Sequence, residues 1–143
     1  MVSGTERETD SLPAQRIQVT VGDLVRVLEG EVVCGEEHLG RPVKAFAASD
    51  LLSDVLAFEQ HDYALLTGLT NAQIVRTADI TSASCIVIVR NKQPQQAAVA
   101  IAQASGIPII LAHCTMFEAC ALLSRLAEPC HDAVSRTSDP SGT

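Results

Sequence analysis

The chain has 143 residues, 47% of them hydrophobic and 19% charged, which suits one domain with a single buried core. Aromatic residues make up only 3% and Trp is absent, so the core must come from Val, Ile, Leu and Ala, favouring α/β layers over a sheet of stacking rings. A formal charge of −7 and the lack of any basic run argue against a nucleic-acid partner, because phosphate binding needs a basic face.

Residues 1–15 are polar and acidic, with no apolar leader, and are expected to be a disordered tail of a cytoplasmic protein. Thr20 can cap a short helix that carries Val21, Leu24, Val25 and Leu28, with Gly30 ending it. Glu31 begins a short strand that runs to Cys34 and is closed by the turn GEEHLGRP; residues 43–48 read as a second strand. Ser49 and Asp50 then open a helix, LLSDVLAF, on which Asp50 and Asp54 lie one turn apart and share a face.

From residue 64 onward, strands and helices alternate. ALLT is a strand and NAQIVRTADI a helix with Ile74, Val75 and Ala78 inward. CIVIV (85–89) is a continuous apolar run, as expected of a strand covered on both faces, so Cys85 should be buried and inert. Pro94 opens the helix PQQAAVAIAQAS and Gly106 closes it. IPIIL is another buried strand, and Thr115 with Glu118 forms a capping box for MFEACALLSRLA. Strands joined by helices of this length pair in parallel through right-handed crossovers, so this half is a three-strand α/β layer. The stretch 93–117 lacks acidic and basic residues, but Gln, Gly106 and Pro108 divide it, and no membrane span is expected. The folded part is residues 16–128, and residues 129–143 read as a second disordered tail.

Five cysteines at irregular spacing, with no C-x-x-C, read as reduced thiols acting as small hydrophobes. His113-Cys114, Cys120 and Cys130-His131 match no familiar zinc spacing, and no metal site or cofactor is expected. The turn Gly68-Leu69-Thr70-Asn71 is the place to look for a ligand. It follows a parallel strand at the carboxyl edge of the sheet, where open α/β sheets bind ligands. It also opens a helix whose free N–H groups attract anions. Thr67 and Thr70 add hydroxyls, while Arg76 lies five residues past Asn71, some 140° round a regular helix. The plainer alternative is that Thr70 or Asn71 only caps its own helix, which is common. Asp50 and Asp54, beside Ser49, would face this turn; two carboxylates alone make a poor site for a divalent cation. His113 ends up at another carboxyl strand end, without a third group to orient it as a base.

The segments ASDLLSDVLAF, LLTGLTNAQIVRTADI, CIVIVRNKQP, GIPIIL and TMFEACALLSRL, in this order, resemble the DRTGG domain family over residues 17–127. That resemblance implies a small parallel-sheet core with flanking helices, similar to the N-terminal domain of HPr kinase/phosphorylase. It also implies a regulatory role, since such domains occur alone near iron-only hydrogenase components, or inside phosphotransacetylases and pyrophosphatases that carry CBS domains. The name-giving Asp-Arg-Thr-Gly-Gly string is absent; Arg76-Thr77 is the nearest element. The kinase GxxxxGK[ST] loop is absent as well, so kinase activity does not carry over.

Three functions compete on this reading. One is a non-enzymatic regulatory module binding a small anionic metabolite, a nucleotide among the candidates, at the Gly68 edge through Ser49, Asp50, Asp54, Thr67, Gly68, Thr70, Asn71, Arg76 and His113. Another is an oligomerisation or protein-interaction module. An enzyme is the weakest, for want of a nucleophile with its base. A homodimer is expected from the helix over 94–104, whose apolar positions run nearly all the way round it and which carries no charge.

Overall fold

The computed structural model describes residues 19–126. The expected tails at 1–15 and 129–143, with Cys130 and His131, lie outside the described residues. Strand β1 (Val19–Thr20) leads directly into helix α1 (Val21–Leu28), then β2 (Glu31–Cys34), a 3-10 turn (Glu36–His38), β3 (Pro42–Val43) and β4 (Ala45–Ala48). Helix α2 (Leu52–Ala57), β5 (Tyr63–Thr67), α3 (Ala72–Ile80), β6 (Ala83–Ile88), α4 (Gln96–Ser105), β7 (Ile109–Leu111) and α5 (Met116–Ser124) complete the order.

The main sheet has five strands in the order β2-β7-β6-β5-β4. Strands β4, β5, β6 and β7 run parallel, and β2 closes one edge antiparallel to β7. The three-strand layer expected from the second half is therefore extended by β4 on one side and β2 on the other. The stretch 43–48 is not one strand: Val43 pairs with Val19 in a separate two-stranded ribbon, and only Ala45 onward joins the main sheet.

Apolar residues fill both faces of the sheet. Leu65, Ile86, Ile88, Ile109 and Leu111 point to the face covered by α3 and α4, together with Ile74, Val75, Ala98 and Ala102. Ala64, Leu66, Cys85, Val87 and Ile110 point to the face covered by α1 and α5, with Leu24, Leu28, Ala119 and Leu123. This alternation explains why β5 and β6 read as unbroken apolar runs, every residue being buried on one side or the other. Cys85 is fully buried, and that burial pushes its thiol up to about 12, so it stays protonated and unreactive at neutral pH.

Helix ends follow local chemistry in several places. Thr20 with Asp23, and Thr115 with Glu118, form reciprocal capping boxes for α1 and α5. Gly106 ends α4 with a left-handed backbone. Gly30 works differently from expectation. The left-handed residue that ends α1 is Glu29, whereas a Cβ on Gly30 would come within 2.7 Å of Ile110 Cγ2. Its smallness lets the chain pass against β7.

Helix α4 is apolar for a reason the sequence only half showed. Ala98 and Ala102 are buried in the domain's own core, and Val99 and Ile101 are half-buried against it. Ala97, Ala100 and Ala104 remain exposed. Charging Ala98 or Ala102 would therefore disrupt the monomer rather than report on an interface.

Candidate functional site at the carboxyl-terminal edge of the sheet

The four parallel strands deliver four loops to one edge: 49–51 after β4, 68–71 after β5, 89–95 after β6 and 112–115 after β7. Backbone hydrogen bonds link them sideways. Arg90 N–H donates to the Cys114 carbonyl at 2.7 Å and Asn91 N–H to the Ala112 carbonyl at 2.8 Å. On the other side, Gln95 N–H donates to the Thr70 carbonyl at 2.9 Å. Lys92 Nζ reaches the Gly68 carbonyl at 3.4 Å.

Asp50 does not open helix α2 as the sequence suggested. That helix begins at Leu52, and its N-cap residue, Leu51, makes no side-chain cap. Two local contacts explain the delay. Ser49 Oγ accepts from Leu51 N–H at 3.0 Å, forming a tight turn. The Asp50 carboxylate is drawn across to the β5 turn, where Oδ1 accepts from Gly68 N–H at 2.7 Å and from Thr67 Oγ1 at 3.0 Å. Asp50 thus lies outside the helix, and the shared helical face with Asp54 does not exist. Asp54 instead accepts from Ser49 Oγ at 3.4 Å.

The turn at Gly68 is consequently supplied from within the chain. Gly68 N–H goes to Asp50, Leu69 N–H to Thr67 Oγ1, and Ile74 N–H to Asn71 Oδ1. Of the two candidate caps, Asn71 does the capping and Thr70 contributes its carbonyl to Gln95. Among the expected site residues, Asp50, Thr67 and Gly68 come together, with Thr70 and Asn71 beside them. Ser49 and Asp54 form a neighbouring pair. Arg76 is exposed on α3, where its guanidinium donates to Gln73 Oε1, so it does not join the cluster. His113 is exposed in the loop after β7, next to the segment that holds Arg90 and Asn91.

Sequence reasoning missed Arg90, Asn91 and Lys92. Arg90 and Asn91 are both left-handed, with φ of 62° and 54°, a conformation that Asn adopts readily but that costs a residue such as Arg about 1–2 kcal/mol. No glycine marks the spot. The available signal was the string RNK directly after an apolar strand, two cations at a carboxyl strand end. The neighbouring Cys114 is half-buried, and burial, the main cause, pushes its thiol up, leaving it protonated and a poor nucleophile. Among the described residues no group of three His, Cys, Asp or Glu is placed to hold a metal, and no helix is long and apolar enough to cross a membrane.

The model of the DRTGG domain family matches residues 23–126. Among solved structures, the fold is similar to the CBS and DRTGG domains of the regulatory region of Clostridium perfringens pyrophosphatase, complexed with its activator diadenosine tetraphosphate. The TM-score is 0.62 at 18% identity, over 75% of this chain and 46% of that one, so this chain spans a little under half of its neighbour. No curated protein matches the chain in sequence.

Proposed function

The chain belongs to the DRTGG domain family, and from that premise we propose that it is a regulatory module, without chemistry of its own, that binds a small anionic ligand such as a nucleotide at the carboxyl-terminal edge of its sheet. The observation that carries this reading is the loop after β6. One short segment hydrogen-bonds to the strand-end loops on both sides and sets Arg90 and Lys92 at the edge. Two cations within three residues make a local positive patch in a chain of net charge −7. Phosphate and carboxylate oxygens bind such groups through charge-assisted hydrogen bonds. The left-handed backbone at Arg90 and Asn91 points the same way, because strain of this kind clusters at ligand sites.

The similar pyrophosphatase region was solved with a dinucleotide polyphosphate activator, which supports both the regulatory role and the ligand class. A role without catalysis is supported by the protonated Cys114 thiol and by Ser49, whose hydroxyl is paired with Asp54 rather than with a histidine. In this reading Arg90, Lys92 and His113 face the ligand, while Asp50, Thr67, Gly68, Thr70, Asn71, Ser49 and Asp54 hold the edge in shape, and Arg76 takes no part.

Thermal unfolding with mono- and dinucleotides, dinucleoside polyphosphates and inorganic phosphate tests the proposal. A ligand at about a hundred times its dissociation constant stabilises the native state by about 2.7 kcal/mol, a rise of several degrees in Tm. Arg90→Ala and Lys92→Ala should each remove most of that rise. If no compound in the panel shifts Tm, the ligand reading fails.

A second reading, oligomerisation, is favoured by a different observation. The exposed side of α4, with Ala97, Ala100, Gln103 and Ala104, carries no charge. A surface helix facing only water would ordinarily show charge there. The two readings are compatible, because a ligand module can signal through an interface.

A further inference from the structure

We infer that Asp50 and Lys92 read the base of a nucleotide, one as acceptor and the other as donor, across a gap that Gly68 keeps open. The inference rests on the anion reading above and adds what the other end of the ligand meets.

Gly68 holds two opposite charges with its own backbone. Its N–H donates to Asp50 Oδ1 at 2.7 Å, and its carbonyl accepts from Lys92 Nζ at 3.4 Å. Thr67 Oγ1 donates to the same Asp50 oxygen at 3.0 Å. Both bonds fall on Oδ1, so Oδ2 is free among the described residues. Asp50 and Lys92 make no ion pair with each other. Each is tied to Gly68 instead.

The backbone does not explain why this residue is a glycine. Gly68 has no left-handed φ. A Cβ there would stand 3.5 and 3.6 Å from the two Asp50 carboxylate oxygens and 3.6 Å from Lys92 Nζ, all ordinary contacts. A methyl group fits the fold at this position. Its absence leaves an open gap between a carboxylate and an ammonium, as suits the close approach of a ligand.

The chemistry of the gap selects what enters it. The turn's N–H groups are already spent, and Asp50 repels an anion, so phosphate belongs at the Arg90 end. A neutral edge with one donor beside one acceptor satisfies both charges at once. Adenine has such an edge, its amino group for Asp50 Oδ2 and a ring nitrogen for Lys92 Nζ. Guanine sets two donors side by side and calls for a carboxylate with both oxygens free, but Oδ1 is taken. Asp50 and Lys92 stand at the end of β5, whereas Arg90 is tied to Cys114 after β7. Two strand spacings, about 10 Å, separate β5 from β7. A nucleotide laid across the edge puts base and phosphate at opposite ends.

Titration of the full chain with AMP, GMP and ribose 5-phosphate, followed by calorimetry, is the test. AMP should bind about tenfold or more tighter than either of the others. Gly68→Ala fills the gap with a methyl group. Asp50→Asn turns the free acceptor into a donor and keeps an oxygen for Gly68 N–H. Each should weaken AMP by about tenfold or more and ribose 5-phosphate by much less, with circular dichroism unchanged. Arg90→Ala should weaken AMP and ribose 5-phosphate alike. If Asp50→Asn fails to fold, Gly68→Ala decides, since its Cβ meets no clash. Three results overturn the base reading and leave the anion reading in force: equal wild-type affinity for AMP and ribose 5-phosphate, GMP as tight as AMP, or full AMP affinity in Gly68→Ala. A wild type that binds none of the three overturns both.

Discussion

The turn after β5 and the loop after β6 end neighbouring parallel strands at the same sheet edge, and they are built in opposite ways. The first is closed: its amide and hydroxyl donors go to Asp50, Thr67 and Asn71, and the anion it holds is the chain's own carboxylate. The second is reached by cationic side chains and spends its backbone groups on the adjacent loops, at the expense of two left-handed residues. A helix-opening turn rich in Gly, Thr and Asn therefore need not await a ligand. The place for an anion is better sought where the chain brings cations to the edge and accepts strain to keep them there.

The largest test of this contrast is Asp50→Ala. It leaves Gly68 N–H and the buried Thr67 hydroxyl without their acceptor, and the expected cost is about 1–2 kcal/mol, since water can reach part of the turn. Chemical denaturation measures it. Adding inorganic phosphate or acetate should restore part of the lost stability in the variant, because a free anion can take the place of the missing carboxylate. The wild type should gain less from the same anion, since only the Arg90 and Lys92 loop is left to respond. An Asp50→Ala protein as stable as the wild type would mean that the turn is not closed by this residue.

What the sequence revealed and what it hid divide along the distance over which each feature is encoded. The cap at Thr20 and the capping box at Thr115/Glu118 are encoded within three residues, and both helices start where those residues say. The apolar runs of β5, β6 and β7 announce strands buried on both faces, which the five-stranded sheet bears out. Asp50 was misread because its partner, Gly68, is 18 residues away. Locally, an Asp before an apolar helix looks like a cap, and a long-range hydrogen bond overrides that preference. The division of residues 43–48 between two sheets was hidden likewise, since Lys44 carries no turn signal and only the pairing of Val43 with Val19 creates the break. Ala98 and Ala102 show the limit of periodicity: small apolar residues all round a helix do not say which ones the monomer buries.

A smaller effect separates capping from binding within the closed turn. Asn71→Ala should cost about 0.5–2 kcal/mol, the usual value of a side-chain cap, because Asn71 Oδ1 accepts from Ile74 N–H at 3.1 Å. Thr70→Ala should cost much less, as its backbone carbonyl, retained in the variant, makes the bond to Gln95. Neither change should reduce the stabilisation produced by a nucleotide or phosphate found to bind the wild type. If either abolishes it, the closed turn is itself a ligand contact and the contrast between the two loops collapses.

The smallest expected change in stability is the most informative about the open loop. At Arg90, φ is 62°, a conformation disfavoured by about 1–2 kcal/mol in residues with a Cβ and free of that cost in glycine. Arg90→Gly removes this strain but gives the unfolded chain more freedom, which offsets about 0.5–1 kcal/mol of the gain. Its backbone N–H still reaches the Cys114 carbonyl, so the cross-link between the loops is kept. Unliganded Arg90→Gly should therefore be as stable as the wild type or slightly more so, by less than about 1 kcal/mol. The guanidinium is lost, however, and ligand-induced stabilisation should fall as far as in Arg90→Ala. A strained arginine retained where glycine folds at least as well is one held for its charge. Matched denaturation curves with and without ligand give both quantities from one variant. Should Arg90→Gly be clearly less stable yet bind as well as the wild type, the side chain serves the fold and not the ligand.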